Sequence, residues 1–543
     1  MRKGLVGLLI SVCFLLSTSA FADDPHAGDD PHAGHHLGMD KVGTVFFDVS
    51  CTAPARRAFP HAVALLHSFA YEEALAEFTA IATQDPKCAM AYWGQAMTWW
   101  RPLWYLPDAT ALQNGAAAIK KAAALEVPTG RERGYIDALH AFYTDYDKID
   151  HRARAMTYRV AMEGLHRLFP KDNEVAAFYA LSLLATASPT DKTFRDQHEA
   201  GAILEKVFAE QPDHPGAAHY IIHSFDNPAL AKDALLAARS YARIAPSVPH
   251  ALHMPSHIFT RLGLWNDSIA SNLASEKAAK DFQQRNHMAS SWDQQLHAMD
   301  YLIYAYLQQG HDRQAEGVLK ELGEIKAVQP TLVSFYAEAA IPARYAVERG
   351  DWKTALSLQP VPSGTPETQA ITHWARAMGA VHAGQLDVAR AEIKQLEAIR
   401  DQLAANKRGY DWSVQVEVQR REAAAWLAHA EKDDGVAVPL MRSAAELEDS
   451  TDKHPVTPGP VLPARELLAD LLMEAGNPGQ AFQEYEADLK VAPHRFRGVR
   501  GAARAAEATG KHDDALRYQR ELRELMGPEA KVVTAERMML TLR

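Results

Sequence analysis

Apolar and polar residues do not alternate along this chain as they would in strands. Small and aromatic residues recur instead at fixed intervals in a polar background. The stretch YEEALAEFTAIATQDP sets the interval: Ala74, then Phe78 four residues on, then Pro86 eight further. Gly476, Ala481, Tyr485 and Pro493 repeat it and add a glycine five residues before the alanine. Gly510 and Ala515 follow Gly476 and Ala481 by 34 residues, as Gly384 and Ala389 follow Gly350 and Ala355. Gly310 with Ala315, and Ala234 with Pro246, occupy matching slots. Each slot has a steric reason. The glycine permits a tight turn between two helices, the alanine lets those helices approach, and the proline ends the second helix and opens the next pair.

A unit of two antiparallel helices in about 34 residues is the tetratricopeptide repeat. Residues from about 52 to 540 therefore predict an all-α tetratricopeptide-repeat (TPR) α-solenoid, a right-handed superhelix of helix pairs. Pro170 to Pro212 spans 42 residues and Gly263 to Gly310 spans 47, so some helices are expected to be longer than standard. The Pro-rich DKHPVTPGPVLP at 452–463 predicts a loop or hinge. The expected order is a signal peptide (1–22), a His-rich tail (23–40), a solenoid with a His-lined groove (41–451), the Pro-rich loop (452–463) and a C-terminal repeat pair (464–543).

The repeat register gives the histidines their meaning. AAHYIIHSFD and HALHMPSHIF each carry a His-x-x-x-His pair, His219 with His223 and His253 with His257, and the two pairs are 34 residues apart. With Pro246 and Gly263 in their slots, both pairs take positions 5 and 9 of a repeat, on the helix face that lines the concave groove. In the next unit His297, Asp300 and Tyr304 take positions 2, 5 and 9, and Asp226 takes position 12 of the first. Residues four apart share a helix face, so the pairs are expected to stack on adjacent helices. Eight of the 25 histidines lie between residues 214 and 297, which concentrates the donors there, although His214, His250 and His287 are not assigned to the patch.

Imidazoles with carboxylates suit zinc, copper, iron or nickel. The expected metal residues are His219, His223, His253, His257, His297, Asp226 and Asp300, with copper or zinc as the ion. Asp226 would serve as a ligand or as the acceptor for a ligand's other ring nitrogen. Tyr304 would orient a substrate or donate a proton. The same histidines could bond across helices or cradle an acidic peptide, so a metal centre and a peptide-binding groove stand as alternatives. Pro255, inside the helix of the second pair, predicts a kink or a late start. Trp93, Trp100 and Arg101 in CAMAYWGQAMTWWRPLWYLP, and His67 in LLHSFAYEEA, also fall in groove register. They are expected to line the groove with Tyr304, with core packing as the competing reading. His373 and Trp374 read as structural.

The opening MRKGLVGLLISVCFLLSTSAFADDP has a basic head, an apolar run and the small-x-small signal Ala20-Phe21-Ala22, predicting a secretory signal peptide cut after Ala22. No later apolar run reaches the length of a membrane span, so a periplasmic or secreted protein is expected. The tail repeats DDPHAG and carries His26, His32, His35, His36 and Met39, donors suited to copper, zinc or nickel. Two cysteines remain, Cys51 and Cys88. In an oxidising compartment they most simply form one disulfide, with a thiolate metal site as the other reading. The chain has 543 residues, 47% hydrophobic and 23% charged, ample for a core, and its net charge of −11 argues against nonspecific nucleic-acid binding.

The stretches LLHSFAYEEALAEF, DPKCAMAYWGQAM, HYIIHSFD, HMPSHIFTRLGLW and LHAMDYLIYAYLQQG resemble a group of exported bacterial tetratricopeptide-repeat proteins. The resemblance runs from about Val42 to Gly310. It implies the fold and export and adds little on reaction. Arg101 stands where that group is expected to carry His before the Pro-Leu-Trp step. Two functions follow as expectations. One is an exported solenoid whose groove binds a transition metal through paired histidines, for metal handling or a metal-dependent step, including hydrolysis by metal-bound water. The other is a non-catalytic scaffold for a peptide or protein partner. No Ser-His-Asp order or Gly-x-Ser-x-Gly elbow suggests another catalyst.

Overall fold

The structure is a computed structural model that describes Met1 and residues 39–103, 106–406 and 409–527. The expected signal peptide, the tail histidines His26, His32, His35 and His36, and the end of the C-terminal repeat pair lie outside the described residues. Among those residues regular structure is helical: twenty-five α-helices, one 3-10 turn at Ala231–Ala234 and a single isolated bridge between Ser291 and Val328. Successive helices pack on one another along the chain, forming an all-α solenoid of the tetratricopeptide type. The slots work as their chemistry requires. Gly310 joins Asp293–Gln308 to Asp312–Glu324 at φ 69°, and Gly476 joins Ala464–Glu474 to Pro478–Val491 at φ 76°. Both are left-handed conformations that a Cβ would strain. Ala74, Ala355, Ala481 and Ala515 are buried where helices cross. At Gly94 a side chain would meet the Phe78 ring at 2.4 Å, so the aromatic slot of one helix requires its neighbour to be bare.

Two large apolar cores run through the molecule. One joins residues from Met39 to Phe282 and the other residues from Val333 to Met526, with a smaller cluster between them. The chain enters as an extended strap. Val42, Val45, Phe47 and Val49 turn inward, the Thr44 N–H donates to the Asp213 carbonyl at 2.9 Å, and the Ser247 N–H donates to that of Lys41 at 3.2 Å. Met39, grouped with the tail in the sequence, is buried in the first core, because apolar burial of the strap extends that far. A disulfide joins Cys51, at the end of the strap, to Cys88 at the start of Ala89–Trp100.

The Pro-rich segment 452–463 does not act as a hinge between separate bodies. It is threaded into the concave side of the solenoid and held there. Arg344, fully buried, pairs with Asp300 at 2.9 Å and donates to the Pro460 carbonyl (2.8 Å), the Gly459 carbonyl (3.0 Å) and the Thr457 hydroxyl (2.9 Å). The Tyr301 hydroxyl donates to the Thr457 carbonyl at 3.1 Å. The C-terminal helices then fold back on the middle of the chain. Trp265 donates its indole N–H to the His494 carbonyl at 2.7 Å, and Arg495 donates to the Tyr304 hydroxyl and to Glu348, both at 2.9 Å. The groove is therefore closed over the histidines.

Two outcomes follow from this closure. Arg344→Met leaves the Asp300 carboxylate buried without its partner, so the variant should lose about 3–5 kcal/mol of stability, and limited proteolysis should cut within 452–463 sooner than in the wild type. The disulfide closes a loop of 37 residues. Reducing it should lower the unfolding free energy of the N-terminal half by about 4 kcal/mol in a denaturant titration.

Candidate metal centre

Four helices deliver the histidines, three of them short. His219 and His223 lie on Pro215–Phe225, His250 and His253 on Pro249–His253, His257 on Pro255–Arg261 and His297 on Asp293–Gln308. Three of these helices open on proline, which fits a first turn because that position has no intrahelical use for an N–H. Met254 keeps a right-handed helical backbone between the two shortest, so Pro255 starts a new helix without turning His257 away from His253.

The six imidazoles form two trios. His219, His223 and His250 make the first and His253, His257 and His297 the second, and within each the candidate ligand atoms lie within 4.8 Å of one another. His250 belongs to the site although the sequence reading left it out. Its signal is in the register: with Gly263 in the glycine slot, His250 takes position 2, the position His297 takes in the next unit. Phe69 is a second residue the sequence did not single out. It adopts φ 56° just after Ala53–His67 and sets its ring against His219 (centroids 4.4 Å), His223 (5.6 Å) and His250 (5.6 Å).

The hydrogen bonds fix where the imidazole protons are. The Asn272 amide nitrogen donates to the Ser268 carbonyl at 2.8 Å, which turns its oxygen to His253 Nδ1 at 2.6 Å. His253 therefore carries its proton on Nδ1. His257 donates from Nδ1 to Asp226 at 2.9 Å. The Nε2 atoms of His253 and His257 are then both unprotonated, yet they face each other at 3.0 Å, with the Tyr301 hydroxyl 3.3 Å from the His257 nitrogen and 3.1 Å from the Thr457 carbonyl. Two lone pairs cannot hydrogen-bond to one another. In the first trio a hydrogen bond places the proton of His219 alone. His219 Nδ1 donates to the His67 carbonyl at 2.7 Å, and its single Nε2 lone pair meets the Nε2 atoms of both His223 and His250 at 3.1 Å. Nitrogens bound about 2.0–2.1 Å from one ion lie about 3 Å apart, so these separations suit a shared cation.

The imidazoles themselves disfavour a shared proton there. Burial, and then the neighbouring imidazoles, push His219, His250, His253 and His297 well below the usual histidine range and His223 down to about 3. Burial lowers His257 as well, although its bond to Asp226 works the other way. Asp226 is the hub behind this trio. It accepts from His257, from Arg261 at 2.8 Å and from Lys453 of the Pro-rich segment at 3.0 Å. Burial alone would raise its pKa, but Lys453, Arg261 and His257 override it and hold the carboxylate well below the usual range.

The other candidates are placed elsewhere. Asp300 faces Arg344 and not the histidines, because the buried guanidinium takes its carboxylate. Tyr304 meets Arg495. Trp93 is in the first core against Phe47, Tyr135 and Phe178, and Trp100 is stacked on Phe142 at 4.1 Å, so neither is a groove wall. The strap 39–49 fills the space that Trp93 would face. Arg101 pairs with Glu72 at 2.8 Å. His67 donates to Glu174 at 2.9 Å, His214 donates to the same carboxylate at 3.0 Å, and Tyr220 donates to His67 at 3.0 Å. Glu174, which burial would raise, is held down to about 2 by His214 and His67. This third cluster is a complete hydrogen-bonded network, and it holds His219 through the His67 carbonyl. His373 bonds Glu392, and Trp374 is buried.

The two trios border a cavity of about 30 Å³ lined by His223, His250, His257 and His297, by Leu103, Met254, Leu332 and Val333, and by His454, Pro455 and Val456 of the Pro-rich segment. The other face of that segment borders a chamber of about 690 Å³ whose walls include Tyr336, Trp374, Tyr410, Trp412, Glu422 and Arg465.

No family model matches the chain, and no curated protein does. Among solved structures, a human IFIT1 dimer with m7Gppp-AAAA is 13% identical, with 81% of this chain and 90% of that one covered and a TM-score of 0.37. Ypp1 is 8% identical over 86% of this chain and 76% of its own, with a TM-score of 0.46. The TPR domain of P58(IPK) is 13% identical over 85% and 99%, with a TM-score of 0.21. The chain is a tetratricopeptide-type α-solenoid, and its histidine clusters are compatible with binding a metal. No helix among the described residues is long and apolar enough to cross a membrane.

The neutral imidazoles make a signed pH prediction for the metal-free protein. His223 is depressed to about 3 in the folded state, while in the unfolded chain it takes up a proton below about pH 6.5. Its contribution is complete above that pH and is lost as the pH falls towards the folded value. Between pH 7 and pH 5 the wild type should therefore lose about 2 kcal/mol relative to His223→Asn, read from paired denaturant titrations.

Proposed function

We propose that this protein is an exported metalloprotein whose solenoid interior holds a transition metal, copper or zinc, through the buried histidines. The observation that carries the reading is the pair of unprotonated Nε2 atoms of His253 and His257, opposed at 3.0 Å. Buried lone pairs facing each other are costly unless a cation lies between them. Asn272, Asp226 and the His67 carbonyl take the other ring N–H groups, which orients the imidazoles and raises their basicity as supports of a metal site do. His253, His257 and His297, with His219, His223 and His250 as the second trio, would hold the ion beside the small cavity. A bound ion would supply Lewis acidity or redox chemistry there. Closure by the Pro-rich segment and Lys453 suits tight retention, storage or a step on a very small substrate better than reaction on a folded protein.

The second reading is a scaffold for a peptide or protein partner in the periplasm, favoured by the aromatic and charged chamber of about 690 Å³ on the far side of the loop. Elemental analysis separates the two. The full exported chain carrying His26→Asn, His32→Asn, His35→Asn and His36→Asn should retain at least one transition-metal ion per chain, and adding His223→Asn and His257→Asn should remove it. Metal absent from both proteins after metal-replete growth would leave the histidines structural and the scaffold reading in place.

A further inference from the structure

Resting on the metal centre proposed above, we infer that the two trios form one dinuclear copper site whose ions share a single small ligand. The trios are contiguous. The His223 and His257 rings are 6.5 Å apart and those of His250 and His253 are 6.3 Å apart, so each trio meets the other at two points. Both open on the same cavity, which takes two walls from each: His223 and His250 from the first, His257 and His297 from the second. Its volume of about 30 Å³ is about one water's share of liquid volume, and the remaining walls are largely apolar. It has room for a small ligand such as a hydroxide or a diatomic molecule.

The donor set and the local charge select copper. The trios offer six imidazoles and neither carboxylate nor thiolate, a set that disfavours magnesium, calcium and manganese and suits copper or zinc. Two divalent ions would bring four positive charges to a place where Lys453 and Arg261 already outnumber Asp226. Such a site favours monovalent ions, or divalent ions with an anion in the shared cavity. Copper satisfies both conditions in its two oxidation states, whereas zinc has no monovalent state. Phe69, set against all three rings of the first trio, and the His67 carbonyl hold that half in place as Asn272 and Asp226 hold the other.

The test uses the full chain with the four tail histidines changed to asparagine, loaded with Cu(I) without oxygen, desalted and then oxidised with hydrogen peroxide. Completeness of oxidation is checked with a Cu(I)-specific chelator. Two coppers per chain are expected, with an electron paramagnetic resonance signal of less than a tenth of the bound copper, because Cu(II) ions joined by one ligand couple antiferromagnetically. Adding His219→Asn and His250→Asn should leave one copper per chain with a full one-spin signal. Two coppers giving two full spins would overturn the shared ligand. One copper in the parent chain would overturn the second site and leave the proposed function standing. No copper and no other metal would remove both.

Discussion

Asp226 is where the helices, the Pro-rich segment and the histidines meet. It lies just beyond Pro215–Phe225, which bears the first pair, accepts a hydrogen bond from His257 of the second pair, and receives Arg261 and Lys453 as counter-charges. Taking a carboxylate out of water is expensive unless cations and donors replace the hydration it loses. Here three groups from two separate segments do so. The same bonds set the tautomer of His257, anchor the segment that seals the groove and leave an unprotonated nitrogen facing the interior. Lys453 bears the cost of this arrangement: burial outweighs the attraction of Asp226 and lowers it to about 8.

The site is thus built from supports outward. His67, Asn272 and Asp226 are a carbonyl, an amide and a carboxylate with little in common except that each accepts a ring N–H. Together they direct three Nε2 lone pairs inward, and burial keeps the imidazoles neutral. Arg344 plays the matching part on the lid side. By pairing with Asp300 while donating to three groups of the Pro-rich segment, it turns a stretch without helix into a fixed wall. The neighbouring His67–Glu174–His214 cluster shows what histidines do in the same interior when one carboxylate takes a ring N–H from each of two imidazoles.

Much of this was legible in the residues. The glycine, alanine, aromatic and proline slots each have one dominant steric use, so their spacing carries the helix pairs directly. The equal spacing of His219–His223 and His253–His257 carries their stacking, because residues four apart share a helix face. Asp300 and Tyr304 have the right register for the groove but the wrong neighbours, since only the packed structure brings Arg344 and Arg495 against them. Trp93 has the groove register, but Phe47 of the strap at 39–49 packs against it and makes it part of the core. His250 shares a repeat position with His297, but it lies on a five-residue helix whose start at Pro249 is clear only in the fold.

The sequence by itself therefore determined the helical repeat, its register and which histidines share a helix face, because these depend on backbone sterics and on separations of a few residues. The tertiary structure alone decided that the groove is closed, that His250 completes the first trio, and which imidazole nitrogens carry protons. Those outcomes depend on contacts such as Lys453 with Asp226 and Tyr301 with Thr457, which join residues 227 and 156 positions apart. No local pattern encodes such a pairing. It arises when the superhelix turns back on itself and buried polar groups take the partners that the closed interior leaves within reach.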